Sequence, residues 1–132
     1  MVVVPGFTLH GIAPPLVTPF CDDERIDYGA WQRIIDSLVS AGVEGLLVCG
    51  STGEFPALDA EERIVALRFC APGREMAVFV GPESLLLQGL ECGCAGGAAT
   101  GINVAPKLFV DLYRGFRQGQ REAARRSAAG RA

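Results

Sequence analysis

The sequence of 132 residues is poor in the side chains that most often carry enzyme chemistry. It has one histidine, His10, one lysine, Lys107, and two tyrosines, Tyr28 and Tyr113. A catalytic metal centre needs several ligands around one ion, and a lone histidine does not supply the imidazoles of such a site. A Ser-His-Asp arrangement would also depend on His10, and no nucleophile elbow is recognisable. We therefore predict neither a metal site nor a serine hydrolase.

Long apolar runs and clusters of positive charge are also missing. No stretch is long enough to cross a bilayer, and residues 1–6 lack the basic flank and the small-residue cleavage site of a signal peptide. The formal net charge is -3, and the arginines near the end alternate with alanine rather than with aromatic residues. These features predict a cytoplasmic protein that binds neither nucleic acid nor membranes.

The five cysteines do not form a recognisable disulfide or zinc pattern. Their number is odd, and the Cys92-x-Cys94 spacing is wrong for a zinc knuckle. Cys49 lies in an apolar run, where a thiol behaves as a small hydrophobic side chain. Reduced thiols are typical of a cytosolic setting.

The most informative stretch is residues 45–54, an apolar run followed by Gly50-Ser51-Thr52-Gly53-Glu54. An apolar run of this length that stops at glycine predicts a strand, and a helix is predicted to follow at Asp59. In parallel α/β folds, ligands bind at the carboxyl ends of strands. The glycines allow close approach of a ligand, and the hydroxyls of Ser51 and Thr52 can donate to an anion such as a carboxylate.

The neighbouring segments predict a βαβ unit and hence a parallel sheet. Residues 9–17 are predicted to form a first strand, interrupted by Pro14 and Pro15. Asp27 is predicted to cap a helix that ends near Ala41. Asp59 and Glu62 have the spacing of a capping box at the start of a second helix, which is predicted to end near residue 70. The expected core residues of the first helix are Trp31, Ile34, Ile35, Leu38 and Val39.

Taken together, these motifs resemble the start of the dihydrodipicolinate synthase / N-acetylneuraminate lyase family of pyruvate-dependent, Schiff-base aldolases. The resemblance rests on residues 11–20, on Ile26-Asp27-Tyr28, on residues 50–58 and on Glu61-Glu62-Arg63. A second piece, residues 76–117, resembles the seventh and eighth strands of the family with their helices. It includes a strand at 76–81, a small-residue strand within 93–101 and Asn103-Val104-Ala105-Pro106.

The resemblance implies a partial TIM (β/α)₈ barrel in one α/β domain, residues 1–132. About four strands are expected, equivalent to strands 1, 2, 7 and 8, in two pieces at 9–70 and 76–117. A complete barrel takes ~250 residues, so about half is missing. Residues 71–75, which join the two pieces, are too few to replace the missing strands.

The resemblance also implies roles for the loop residues. Ser51 matches the hydroxyl that assists proton transfer, and Thr52 and Gly53 match the clamp on the substrate carboxylate. The family forms an imine between a lysine amine and the ketone of a 2-oxo acid, and a tyrosine of a Tyr-Asn-x-Pro segment moves the proton. Neither group is in place here, because Lys107 starts a helix and Tyr28 and Tyr113 lie in other contexts. We therefore expect weak binding of pyruvate or another 2-oxo acid, no turnover by this chain alone and no cofactor.

Two alternatives to a lyase-like chain remain open at this stage. Four strands do not close an eight-stranded barrel, so sheet edges and the apolar Leu85-Leu86-Leu87 segment are predicted to be uncovered. Such a chain would form homo-oligomers or associate with a full-length relative. The other alternative is a remnant of a broken gene without a selected role. The loop motif does not distinguish among the aldehyde or sugar-acid substrates of the family.

Overall fold

The structure, a computed structural model, describes residues 11–71, 73 and 76–129 and confirms an α/β fold with a parallel sheet. Three strands pair in chain order, and their bounds are β1 (Gly45–Val48), β2 (Ala77–Val80) and β3 (Gly96–Gly97). The helices are α1 (Tyr28–Ser40), α2 (Ala60–Cys70), α3 (Leu86–Glu91), α4 (Pro106–Arg117) and α5 (Arg121–Ala129).

The predicted first strand is reduced to a single bridge between Pro15 and Leu47 of β1. Leu16 N–H donates to the Leu47 carbonyl at 2.8 Å, and Leu47 N–H donates to the Pro14 carbonyl at 3.0 Å. Pro14 and Pro15 have no N–H group, so they cannot extend a strand ladder on both sides. Residues 9 and 10 of this predicted strand lie outside the described residues. Where about four strands were expected, the described residues form three strands and an edge segment, residues 12–17, that runs beside β1.

Both predicted helix starts are confirmed. The Asp27 carboxylate accepts a hydrogen bond from Ala30 N–H at 2.8 Å and caps α1. At the start of α2, Glu62 N–H donates to the Asp59 carboxylate at 2.8 Å, and Asp59 N–H donates to the Glu62 carboxylate at 2.9 Å. This reciprocal pair is the capping box expected from the spacing of the two residues.

The hydrophobic core lies between one face of the sheet and the helices. Leu46, Val48, Val78 and Val80 of the strands are all buried in it. The core also holds Trp31 and Ile35 of α1, Leu67 of α2, Leu90 of α3, and Phe109 and Leu112 of α4.

Two sequence expectations about burial were wrong. Leu85, Leu86 and Leu87 are buried rather than uncovered, because they pack into this core at the start of α3. Val39, expected in the core, is 48% exposed because it lies on the solvent side of α1. Apolar spacing on a helix marks a broad stripe, and the residues at its margin reach solvent.

The opposite face of the sheet, here called the inner face, carries Pro15, Val17, Leu47 and Phe79. The strand register aligns Pro15 with Leu47, Leu47 with Phe79, and Phe79 with Gly96, so these positions form one row across the sheet. Leu47 and Phe79 are half-buried and lie outside the core cluster, and Val17 is 45% exposed. The described helices therefore cover one face of the sheet and leave the inner face partly open.

Strand β2 pairs directly with β1, and β3 pairs with β2. In a closed barrel the last strand pairs with the first, so a seventh and an eighth strand would lie on the other side of the edge segment. In this chain β2 and β3 both lie on the β1 side of the sheet, away from the edge segment. His10, residues 1–6 and the joining residues Pro72, Arg74 and Glu75 lie outside the described residues. Within the described part, no helix is long and apolar enough to cross a membrane.

Candidate functional site

The loop singled out by the sequence lies at the carboxyl end of β1. Ser51–Gly53 forms a single 3₁₀ turn, with Gly50 in extended conformation before it. Ser51 and Thr52 are exposed, whereas Gly53 is buried. The Gly53 N–H group donates to the Gly50 carbonyl at 3.1 Å and closes the turn. Two hydroxyl groups are thus presented to solvent on a short, hydrogen-bonded turn at the end of the sheet.

The turn is fixed to the edge segment by a buried hydrogen bond. The hydroxyl of Thr18 donates to the Gly53 carbonyl at 2.7 Å, and Thr18 is buried. A Cβ atom on Gly53 would lie 2.8 Å from the Leu16 carbonyl oxygen, so no larger residue fits without a shift of the backbone. The sequence reasoning missed Thr18 as a positioning residue, although it lies within the quoted motif at residues 11–20.

Arg63 holds the segment that follows the turn, and the sequence reasoning assigned it no role. Its Nε donates to the Phe55 carbonyl at 3.1 Å, and its guanidinium carbon lies 5.4 Å from the centroid of the Phe55 ring. Because Arg63 belongs to α2, the turn is anchored on both sides, to the edge segment by Thr18 and to the following helix by Arg63. Such double anchoring is expected to limit the conformational freedom of Ser51 and Thr52.

Cys49 connects β1 to the turn in a left-handed backbone conformation, with φ of 56°. Its side chain is buried, and this burial raises the pKa of the thiol to about 11. Burial likewise raises the pKa of Cys94 to about 12. Thiols with such pKa values are neutral near pH 7 and are poor nucleophiles. The sulfur nearest the candidate site is therefore a packing group rather than a reactive one, as expected for Cys49.

The structure brings Ser51, Thr52 and Gly53 together but does not place the lysine or either tyrosine in the turn. Lys107 lies on α4, its side chain is 87% exposed, and it forms an ion pair with Asp111 one helical turn away. Tyr28 packs edge-on against Phe69 with ring centroids 5.1 Å apart, and burial raises the pKa of its phenol. Tyr113 packs on the core from α4.

No group of three or more histidine, cysteine, aspartate or glutamate side chains that could hold a metal ion is found among residues 11–71, 73 and 76–129. The turn at residues 51–53 itself offers the hydroxyls of Ser51 and Thr52 and backbone N–H groups, and the exposed Glu54 follows it. The hydroxyl and N–H groups donate hydrogen bonds and suit an anionic oxygen ligand.

Comparison with known proteins gives one consistent result. The dihydrodipicolinate synthetase family matches residues 8–71. The 4-hydroxy-tetrahydrodipicolinate synthase of Thiobacillus denitrificans is 31% identical over 125 residues, which are 89% of this chain and 42% of that protein. Escherichia coli YagE, a member of the dihydrodipicolinic acid synthase family solved in complex with pyruvate, is 34% identical with a TM-score of 0.62. That match covers 67% of this chain and 33% of YagE.

A third relative, the dihydrodipicolinate synthase of Aquifex aeolicus, is 30% identical with a TM-score of 0.61, over 69% of this chain and 34% of that structure. The chain thus spans less than half the length of the relatives that it matches. Matches in sequence and in fold agree, and they confirm the resemblance drawn from the motifs at residues 11–20 and 50–58. The chain belongs to the dihydrodipicolinate synthetase family.

Proposed function

We propose that this chain binds the carboxylate of pyruvate or of another 2-oxo acid at Ser51, Thr52 and Gly53, where the two hydroxyls contact the ligand and Gly53 closes the turn that presents them. The observation that carries the proposal is the turn itself, which presents two exposed hydroxyls at the carboxyl end of β1 and is anchored by Thr18. Binding at this end of a parallel sheet is the general rule for barrel enzymes. The pyruvate complex of YagE, a relative with 34% identity, supports the same class of ligand.

We also propose that this chain alone does not convert the bound 2-oxo acid into a product. Imine formation requires an uncharged amine within reach of the ketone carbon, and the only lysine of the sequence is Lys107. Lys107 is exposed on α4, and its amine is paired with the carboxylate of Asp111. Ser51, assigned to the proton relay by resemblance, has no tyrosine of a Tyr-Asn-x-Pro segment to act with. The proposed function is therefore binding of a 2-oxo acid without catalysis of a lyase reaction.

We also propose that the chain is one domain over residues 1–132 and that β2 and β3 correspond to strands 7 and 8 of the family barrel. The motifs at 76–84 and 103–106 carry this assignment. The composition favours a cytoplasmic location, which is likewise a proposal.

Titration of the purified chain with pyruvate, followed by NMR amide shifts, tests binding. We expect shifts at residues 50–53 that weaken at least several-fold in Ser51→Ala and Thr52→Val and persist in Ser37→Ala. Ser37 is a matched control because it is an exposed serine on α1. Shifts that are equal in all variants contradict the proposed site, and the absence of any shift favours a gene remnant.

Borohydride reduction in the presence of pyruvate tests the absence of turnover. Reduction traps an imine as a stable adduct, which adds a fixed mass to the intact chain. We expect the mass to be unchanged after reduction. An adduct on Lys107, or pyruvate-dependent condensation by the pure chain, contradicts the proposal that this chain lacks lyase catalysis.

A second candidate function, association with another polypeptide, is favoured by the inner face. Leu47 and Phe79 lie outside the core cluster, and Val17 is 45% exposed on the same face. Both faces of an all-parallel sheet are almost always covered in known folds. Either a second copy or a full-length relative would cover this face. A monomer at all concentrations, alone and with a relative, contradicts this second function.

A further inference from the structure

We propose that a second copy of this chain covers the inner face, and that the two copies close into one eight-position barrel around a twofold axis parallel to the strands. Strand β3 of each copy would pair with the edge segment, residues 12–17, of the other. The proposal rests on the association function above and specifies its partner and its geometry. It is independent of carboxylate binding.

The first argument is the incomplete coverage of the sheet. Leu46 and Val48 of β1 are 0% exposed against the helices, whereas Leu47 between them is half-buried on the inner face. Phe79 of β2 repeats this position next to Leu47. In a closed barrel the inward side chains of all strands fill the interior in layers. The row from Pro15 to Gly96 is one half of such a layer.

The second argument is the pair of open edges. Among the described residues, β3 pairs only with β2, and the edge segment pairs only with β1. The bonds of the edge segment to β1 use the Ile12 and Pro14 carbonyls and the Leu16 N–H group. Since a strand points its backbone groups alternately to either side, the N–H groups of Ala13 and Val17 lie on the outer side.

The two edges are compatible because they belong to one parallel sheet. A twofold axis along the strand direction keeps that direction in the second copy. The axis therefore brings β3 of each copy beside the edge segment of the other copy, with the two strands parallel. Two equivalent strand pairs result. Both edges of both copies are then used, so the assembly stops at two chains.

The third argument concerns the identity of the partner. Three strands and one edge segment supply four strand positions, and two copies supply the eight of a family barrel. A full-length relative has a closed barrel, which offers no strand edge for pairing. A second copy is therefore the partner that satisfies both edges.

One consequence follows for the candidate site. Because the twofold axis runs along the strands, the carboxyl ends of β1 in both copies face the same mouth of the barrel. The Ser51-Thr52 turns of the two copies would thus open into one shared cavity. Each turn keeps its own anchor to Thr18, so carboxylate binding by one chain does not depend on the pairing of the edges.

The test is the mass of the purified chain in solution, measured by sedimentation velocity over a hundredfold range of concentration. We expect a species of about twice the 13.9 kDa chain mass and nothing larger. Val17→Lys places a charge on the inner face and should convert the dimer to monomer. Val110→Lys is the matched control, since Val110 is 40% and Val17 is 45% exposed, and it should leave the dimer intact.

Phe79→Lys provides a second variant on the inner face, and thermal melting reports whether each variant is folded. If both variants fail to fold, hydrogen exchange of the natural chain decides. The Ala13 and Val17 amides, which lie on the outer side of the edge segment, should become at least tenfold more protected at high concentration than at low concentration. The proposal is overturned if the chain is a monomer, or if it forms a series of species larger than a dimer. It is also overturned if Val17→Lys leaves the dimer intact, or if the protection of these amides does not change with concentration. A stable complex with a full-length relative in place of the dimer overturns it as well.

Discussion

Removal of the Thr18 hydroxyl tests whether the turn at residues 51–53 depends on its anchor. In Thr18→Val the shape of the side chain is kept, but the Gly53 carbonyl loses the donor at 2.7 Å in a buried place. An unsatisfied buried acceptor costs about 1–3 kcal/mol. With an unfolding entropy of ~2.1 cal/mol/K per residue, a chain of 132 residues should melt ~4–11 °C lower.

Calorimetry or circular dichroism measures this shift, and two further variants control it. Thr18→Ser keeps the hydroxyl and should recover most of the lost stability. Thr100→Val removes the hydroxyl of an exposed side chain and should change Tm by no more than ~2 °C. The NMR titration should show weaker pyruvate binding in Thr18→Val. Equal melting temperatures for Thr18→Val and Thr100→Val would refute the reasoning that this hydrogen bond fixes the turn.

Two other predictions concern stability elsewhere in the chain. Asp59→Ala removes half of the capping box of α2 and should cost about 1 kcal/mol in a urea titration, whereas Asp22→Ala, at an exposed residue outside any helix, should cost less than about 0.5 kcal/mol. The folded chain should also lose stability in alkali. The pKa of Cys49 is about 11 in the folded chain and 9.0 without burial, so its contribution is intact below pH 9 and falls by about 2–3 kcal/mol as the pH rises to 11. Cys49→Ala should reduce the slope of unfolding free energy against pH and leave the part of it that is due to Cys94. Cys21→Ala, at an exposed thiol, should leave the slope unchanged. Equal slopes in the two variants would contradict the assignment of this pH dependence to Cys49.

The parts of the fold that the sequence predicted well are those specified by local chemistry. The caps at Asp27 and Asp59 were correctly predicted because an N-cap depends on a side chain and an N–H group three residues apart. The strand at β1 was correctly predicted because its apolar run ends at Gly50. In both cases the interacting groups are close in sequence, so no tertiary information was needed.

The errors lie where distant segments decide the outcome. Leu85-Leu86-Leu87 was expected to be uncovered, since the sequence does not say which elements pack against α3. The first strand was expected to span residues 9–17, but its described part forms one bridge to β1, because the N–H groups of Pro14 and Pro15 are missing from the ladder. The order of β1, β2 and β3 likewise depends on which strand is available as a neighbour.

The candidate site was predictable in part for the same reason. Ser51, Thr52 and Gly53 are contiguous, and their turn after a strand is readable from the sequence. The contact between Thr18 and Gly53 joins residues 35 positions apart, and no spacing rule reveals it. Arg63 was missed because it reaches back over eight residues to the Phe55 carbonyl, beyond the helix in which it lies.

The pairing of each strand with the next one along the chain has a consequence for how such a protein can change. Every strand-and-helix unit meets its neighbour in the same direction and through the same kind of crossover. Units of this kind are interchangeable modules, so a gene can lose or gain whole ones and still encode strands that find a compatible neighbour. The number of strand-and-helix units that is needed to close a barrel then limits how many of them can be lost.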